Sequence, residues 1–183
     1  MTFRVAIVGH SQVPTYFPEL DEVEVQIFRR SGAKLFNFDQ YQEFEDISSW
    51  NPHLTIIFLG GNDISVDPQS WTAEDIATEL IDLSWRLAEE DQRVTLCMIE
   101  PRQYPNQQFN SYYRQQMRSI NRRLDRYSRR ADAPFWTLNF SAAPFEAQHT
   151  VDGVHFRPLA VEAIIDKMTN SILYSQEEFN ETQ

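Results

Sequence analysis

The sequence predicts an α/β fold, a doubly wound domain built on a five-stranded parallel sheet. Three observations lead there. Short apolar runs rich in β-branched and aromatic residues recur at 3–8, 23–28, 54–59, 94–99 and 135–138. Each is bounded by polar residues, glycine or proline, the pattern of strands covered on both faces. Amphipathic helical patterns occupy the later connections, and strand–crossover alternation of this kind marks a parallel sheet.

Taken in order, residues 3–8 form the first strand, directly after Met1. The crossover 12–22 contains Pro14 and Pro18, which leave room for only a short or broken helix before the strand at 23–28. After the strand at 54–59, residues 73–90 place Ile76, Leu80, Leu83 and Leu87 on one helical face, with Ser70 or Thr72 as its cap. Beyond the strand at 94–99, Tyr113, Met117, Ile120, Leu124 and Tyr127 repeat that spacing. The strand at 135–138 precedes a last helix at 159–174, which turns Ile164, Ile165, Met168 and Ile172 inward. Residues 1–174 read as one domain, and 175–183 as a polar, frayed tail.

Composition narrows the function classes. The 183 residues are 42% hydrophobic with a net charge of −11, an ordinary globular balance that disfavours general affinity for nucleic acid or anionic membranes. No apolar run approaches the roughly 20 residues that span a bilayer, and no signal-peptide pattern opens the chain. The expectation is a soluble, cytoplasmic protein. Cys97, the single cysteine, lies in an apolar run and reads as a buried, inert thiol.

The glycines locate a site. Gly9 follows the first strand and Gly60-Gly61 the third, Gly32 lies just past the second, and Gly153 precedes the last helix. Open α/β sheets bind ligands beyond the carboxyl ends of their strands. Ser11 stands beside Gly9, Asn62 and Asp63 follow Gly61, and Asp152 and His155 flank Gly153. Nucleophile, base, carboxylate, amide and tight backbone turns are the parts of a serine hydrolase. No Gly-x-Ser-x-Gly elbow is present, because Val13 occupies the second glycine position. His10 reads as structural, Asp63 as a brace of its own loop through Asx-type hydrogen bonds, and His53 and His149 as surface residues.

These residues resemble the blocks of the SGNH (GDSL-like) hydrolase superfamily, in order and over nearly the whole chain: Gly9-His10-Ser11, Gly32, Gly60-Gly61-Asn62-Asp63, and Asp152-Gly153-Val154-His155. His10 stands where the more familiar form of the family has aspartate; this Gly-His-Ser variant resembles SGNH-like domains of animal genomes and retrotransposon-encoded proteins. The resemblance implies a three-layer, flavodoxin-like arrangement and a serine esterase. It implies Ser11 as nucleophile, His155 as base and Asp152 as its orienting acid. The oxyanion hole falls to the backbone N–H groups of Ser11 and Gly32 and the side-chain amide of Asn62. It implies no metal or organic cofactor. Loops at 12–20, 64–71 and 103–112 carry Tyr16, Phe17, Trp71 and Tyr104, an apolar or sugar-stacking wall. The absence of long insertions points to a shallow site and to short acyl groups, acetyl first, on a small-molecule, carbohydrate or lipid ester.

A second reading attaches to Arg114, Arg118, Arg122, Arg126 and Arg130, which recur every fourth residue with Arg123 and Arg129 beside them. One account is a solvated face held partly by ion pairs with the protein's own acids. The other is a patch for RNA, anionic lipid or an acidic partner on a catalytically idle scaffold. Oligomeric state has no signature in the sequence.

Overall fold

A computed structural model describes residues 1–88, 92–140 and 152–182. Five parallel strands form one sheet, β1 (Phe3–Gly9), β2 (Val23–Arg29), β3 (Leu54–Phe58), β4 (Arg93–Cys97) and β5 (Phe135–Leu138), in the order β2-β1-β3-β4-β5. The chain steps from β1 to one side, then crosses back over it to β3. That reversal opens a crevice between the carboxyl ends of β1 and β3, where ligands bind in open α/β sheets.

Helices cover both faces, giving three layers. On one face, α3 (Ala73–Leu87) and α4 (Gln107–Ser128) pack with two single-turn helices, α1 (Gln42–Glu45) and α2 (Ile47–Trp50). Ala6, Val8, Ile57, Leu59, Val94 and Leu96 meet Ile76, Leu80, Leu83, Tyr113, Ile120 and Leu124 there. On the other face, Phe3, Val5, Ile7, Leu54 and Ile56 meet Ala160, Ile164, Met168 and Ile172 of α5 (Pro158–Glu181). Alternate residues of one strand thus feed two cores, which is why β1 and β3 read as unbroken apolar runs. Thr72 is the cap of α3; its hydroxyl accepts the Asp75 N–H, and Asp75 accepts from the Thr72 N–H in return. The expected end of that helix at 89–90 lies outside the described residues.

The structure departs from expectation in places and adds what the sequence left unread. β2 is an edge strand of the described sheet, in which Val23, Val25 and Ile27 are only half-buried and Phe28 alone is buried. The β2-to-β3 connection carries a 3₁₀ segment, Leu35–Gln40, before α1 and α2. The C-terminal residues are no frayed tail: α5 continues to Glu181, Ser175 is buried, and Phe179 packs against Phe3 and His53. The inward period of Ile172, Ser175 and Phe179 keeps this extension on the sheet, and Glu178 pairs with Arg93 at 2.6 Å. His53 is accordingly no surface residue; its Nδ1 accepts the Arg4 N–H at 2.9 Å and its ring stacks on Phe3.

Phe179→Ala is expected to remove about 1–3 kcal/mol of stability, less than a fully buried phenylalanine costs. Urea unfolding checks this; the midpoint falls at an unchanged slope.

Candidate active site

The crevice is built from backbone crowding. A Cβ on Gly9 would lie 2.2 Å from the Phe58 carbonyl oxygen, so only glycine lets the ends of β1 and β3 close to this spacing. The His10 N–H then donates to that carbonyl at 3.2 Å, and the chain turns sharply, Val13 N–H donating to the His10 carbonyl. Arg29, the last residue of β2, clamps the turn by donating to the carbonyls of Ser11 at 3.1 Å and Val13 at 3.2 Å. Ser11 is thereby held at the mouth of the sheet.

The loop that brings His155 is seated from three directions. A Cβ on Gly153 would lie 2.0 Å from the Gln103 carbonyl oxygen, and Gly153 itself has φ +86° and accepts the Gln103 N–H at 2.7 Å. Gln12, next to Ser11, donates through its amide to the Val154 carbonyl, and its Oε1 receives the Phe156 N–H. Asp152 Oδ1 accepts the backbone N–H groups of Val154 and His155.

Within this frame His155 Nε2 lies 3.1 Å from Ser11 Oγ, and His155 Nδ1 lies 2.7 Å from Asp152 Oδ2. Hydrogen bonds from the imidazole and from the His155 and Val154 N–H groups hold the Asp152 carboxyl well below the usual carboxylate range. An ionised carboxylate only accepts, so the neutral ring carries its proton on Nδ1 and turns a lone pair on Nε2 toward the serine. The arrangement can take a proton from Ser11 and keep the resulting imidazolium beside an anion. Both side chains are about half exposed, 50% for His155 and 52% for Asp152.

Opposite lie Gly32 and Asn62. Gly32 has φ +72° in a turn closed by Ala33 N–H on the Arg30 carbonyl at 3.2 Å, and among the described residues nothing stands within 4 Å of where its Cβ would be. Asn62 Nδ2 donates to the Ala33 carbonyl at 3.0 Å, and its Oδ1 accepts from Arg102 Nη1 at 2.9 Å. Because a guanidinium only donates, Arg102 fixes which edge of the amide carries the nitrogen and points that edge toward the Gly32 turn.

Arg102 is itself buried, bonded to the fully buried Glu100 through Nε at 2.7 Å and through Nη2. His10 Nε2 approaches the same carboxylate at 3.4 Å, and Tyr104 accepts from Arg102 at 3.2 Å. Burial pushes the Glu100 carboxyl up, but Arg102 and His10 outweigh it and leave it at about 2. Gly61 makes room for the pair: a Cβ there would sit 2.7 Å from both Arg102 Nη2 and Glu100 Oε1.

The structure thus brings Ser11, Gly32, Asn62, Asp152 and His155 to one edge of the sheet. His10 is wholly buried and packs as a structural residue against Phe58 and Glu100. Asp63 braces a different segment from the one expected. It accepts the Leu35 and Phe36 N–H groups at 3.0 and 3.2 Å, the unpaired start of the 3₁₀ segment, and burial raises its carboxyl against those bonds. Trp71 is engaged by Phe36, Tyr104 by Phe109 and Tyr113, and Tyr112 belongs to α4 rather than to a loop. Cys97 is buried, and burial raises its thiol. His149 lies outside the described residues. Sequence reasoning passed over Gln12, Arg29, Glu100 and Arg102; the signal for the last two was a Glu-Pro-Arg triplet just past an apolar strand. The arginines of α4 stand apart from the serine, except that Arg114 lines a pocket of about 720 Å³ together with Asp152, Gly153 and Arg157.

The model of the GDSL-like lipase/acylhydrolase family matches residues 9–163, which contain every one of these groups. The chain belongs to that family. As a GDSL-like lipase/acylhydrolase it is an ester-hydrolysing enzyme. No curated protein matches the chain. Among solved structures, a GDSL-like lipase from Bacteroides thetaiotaomicron is similar at 18% identity, with a TM-score of 0.69 over 94% of this chain and 88% of that one. An acetyl xylan esterase is similar at 16% identity, TM-score 0.66, over 92% and 99% of the two chains. An acetyl esterase mutant with an acetate ion gives 13% identity, TM-score 0.69 and full coverage of both. At these identities the likeness is one of fold. Among the described residues of this GDSL-like chain, no helix is long and apolar enough to cross a membrane.

Gly153→Ala is expected to lower turnover of a small ester at least tenfold, because the loop must leave Gln103 and carry His155 with it; steady-state kinetics on folded protein checks this. Arg102→Gln is expected to cost about 3–5 kcal/mol by stranding the buried Glu100 charge, and adding Glu100→Gln to recover part of it. Since Glu100 is depressed from 4.5 to about 2, its contribution is complete above pH 4.5 and is lost as pH falls toward 2. Acid titration of unfolding in wild type and the double variant reads the difference.

Proposed function

We propose that the protein is a serine esterase that cleaves short-chain acyl esters, acetyl esters first, through Ser11, His155 and Asp152. The observation that carries this is the continuous relay from Ser11 Oγ to His155 Nε2 at 3.1 Å and from His155 Nδ1 to Asp152 at 2.7 Å. In the first half-reaction the Ser11 proton passes to His155 Nε2 as Oγ attacks the acyl carbon. The alcohol leaves with that proton, and Ser11 holds the acyl group. Water then attacks, again giving its proton to His155, and the carboxylic acid departs as the proton returns to Ser11.

Charge developing on the carbonyl oxygen meets the backbone N–H groups of Ser11 and Gly32 and the amide of Asn62. The open space in front of Gly32 and the Arg102-fixed orientation of Asn62 support that assignment. Such donors act best when they need not reorganise, which is the service of the buried Glu100–Arg102 pair behind them. Preference for a small acyl group is supported by the half-exposed His155 and by a polar adjoining pocket lined by Gln103, Asn110, Ser111 and Arg114. A long alkyl chain would find little apolar cover there. Two of the similar structures carry acetyl esters in their names.

Ser11→Ala is expected to abolish both fluorophosphonate labelling and p-nitrophenyl acetate turnover, and Asn62→Ala to lower kcat about 10²–10³-fold while labelling at Ser11 persists. Undiminished turnover in Ser11→Ala would remove the serine from the reaction. Rates rising steadily with acyl length would remove the preference for acetyl.

A further inference from the structure

The arginine stripe of α4 divides into two groups. Arg123 pairs with Glu74, Arg129 with Asp125 and Arg130 with Asp132. Arg114, Arg118, Arg122 and Arg126 have no carboxylate partner among the described residues, in a chain whose net charge is −11. A solvated face held by the protein's own acids would have used the carboxylates this chain has in excess. These four side chains are exposed instead, and they line one groove of about 1470 Å³. Asp125 also lies in it, neutralised by Arg129.

The backbone under the stripe is firmly seated. Tyr113, Met117, Ile120 and Leu124 are buried, and Asn121 is bonded to both the N–H and the carbonyl of Ile99. Successive arginines are therefore spaced about 6 Å along the helix, some 18 Å from first to last. The series ends at the active site, since Arg114 lines both the groove and the pocket that holds Asp152 and Gly153.

We propose that this groove binds an acidic polysaccharide, a linear chain of carboxylate-bearing sugars whose O-acyl groups are the esters cleaved at Ser11. The proposal rests on the esterase reading and names its substrate class. One polymer supplies both requirements, a hydroxyl to be acylated and a carboxylate at each repeat for bidentate contact with a guanidinium. A membrane would need a projecting face rather than a groove. Single-stranded nucleic acid is gripped by aromatic stacking, and among the described residues no aromatic ring lines the groove. The chain's net charge of −11 would repel the polymer elsewhere and concentrate it on this one strip.

The test compares kcat/KM of the full chain on O-acetylated polygalacturonate, on neutral O-acetylated xylan and on p-nitrophenyl acetate. Wild type is expected to favour the acidic polymer roughly tenfold at low salt. Arg118→Glu/Arg122→Glu, and about 0.5 M salt, are expected to erase that preference and leave the small ester within about twofold. Equal rates on both polymers, unmoved by the double variant, would overturn the proposal. A wild type inactive on all three esters would sink the esterase reading alone. Fluorescence anisotropy with labelled, de-esterified oligogalacturonate then decides the groove: binding lost in the double variant upholds it as a uronate site, and no binding overturns it. Tighter retention of single-stranded RNA or of phosphatidylserine vesicles than of the uronate would give the groove a different occupant and likewise overturn the proposal.

Discussion

Behind the crevice lies a carboxylate with no access to water. Glu100 would be costly in that position by itself, because an unpaired charge in a protein interior loses its hydration. Arg102 makes the burial tolerable, and the geometry of both depends on Gly61 having no side chain. From that pair the order spreads outward: to Asn62 through its Oδ1, to Tyr104, and to His10 and so to the turn that presents Ser11. The half-exposed His155 and Asp152, with Ser11, thus stand in front of a buried, charged base. Buried ion pairs are seldom the most stabilising choice for a core, but they impose orientation, here on the Asn62 amide.

The site is also a joint between distant parts of the chain. Ser11 leaves β1, and His155 arrives 144 residues later on the loop before α5. Three contacts hold them in register: Arg29 on the Ser11 turn, Gln12 on Val154, and Gly153 against Gln103. None of the three involves the side chains of Ser11, His155 or Asp152. Each removes a freedom by which the serine and the histidine would drift out of hydrogen-bonding distance, so the relay is a property of the packed edge rather than of its three members.

Charge is distributed with equal asymmetry. The chain carries a net charge of −11, while one face of α4 keeps four arginines without a carboxylate partner among the described residues. The same helix buries Tyr113, whose hydroxyl donates to the Glu100 carbonyl, so the basic face and the floor of the site share one scaffold. A ligand guided along the arginines arrives at a pocket already set by that helix.

The sequence alone determined the layered architecture. Short continuous apolar runs between turn residues suit strands covered on both sides, as β1, β3 and β4 are, and the three–four spacing of Ile76 to Leu87 and of Tyr113 to Leu124 is the period of a helix. The glycine, serine, asparagine and histidine blocks were legible there too, through their resemblance to the family's blocks, because each is written in adjacent residues. It fell short where a residue's meaning lies in its partner. Phe179 looked like part of a tail until Phe3 and His53 stood beneath it, and Asp63 looked local until it met the N–H groups of Leu35 and Phe36. Glu100 and Arg102 were two charges beside a proline, with nothing nearby to say that both would be buried and oriented on Asn62. Which arginines of α4 find a carboxylate among the described residues was likewise decided by the fold, since an ion pair depends on separation in space and the linear order of charges does not contain it.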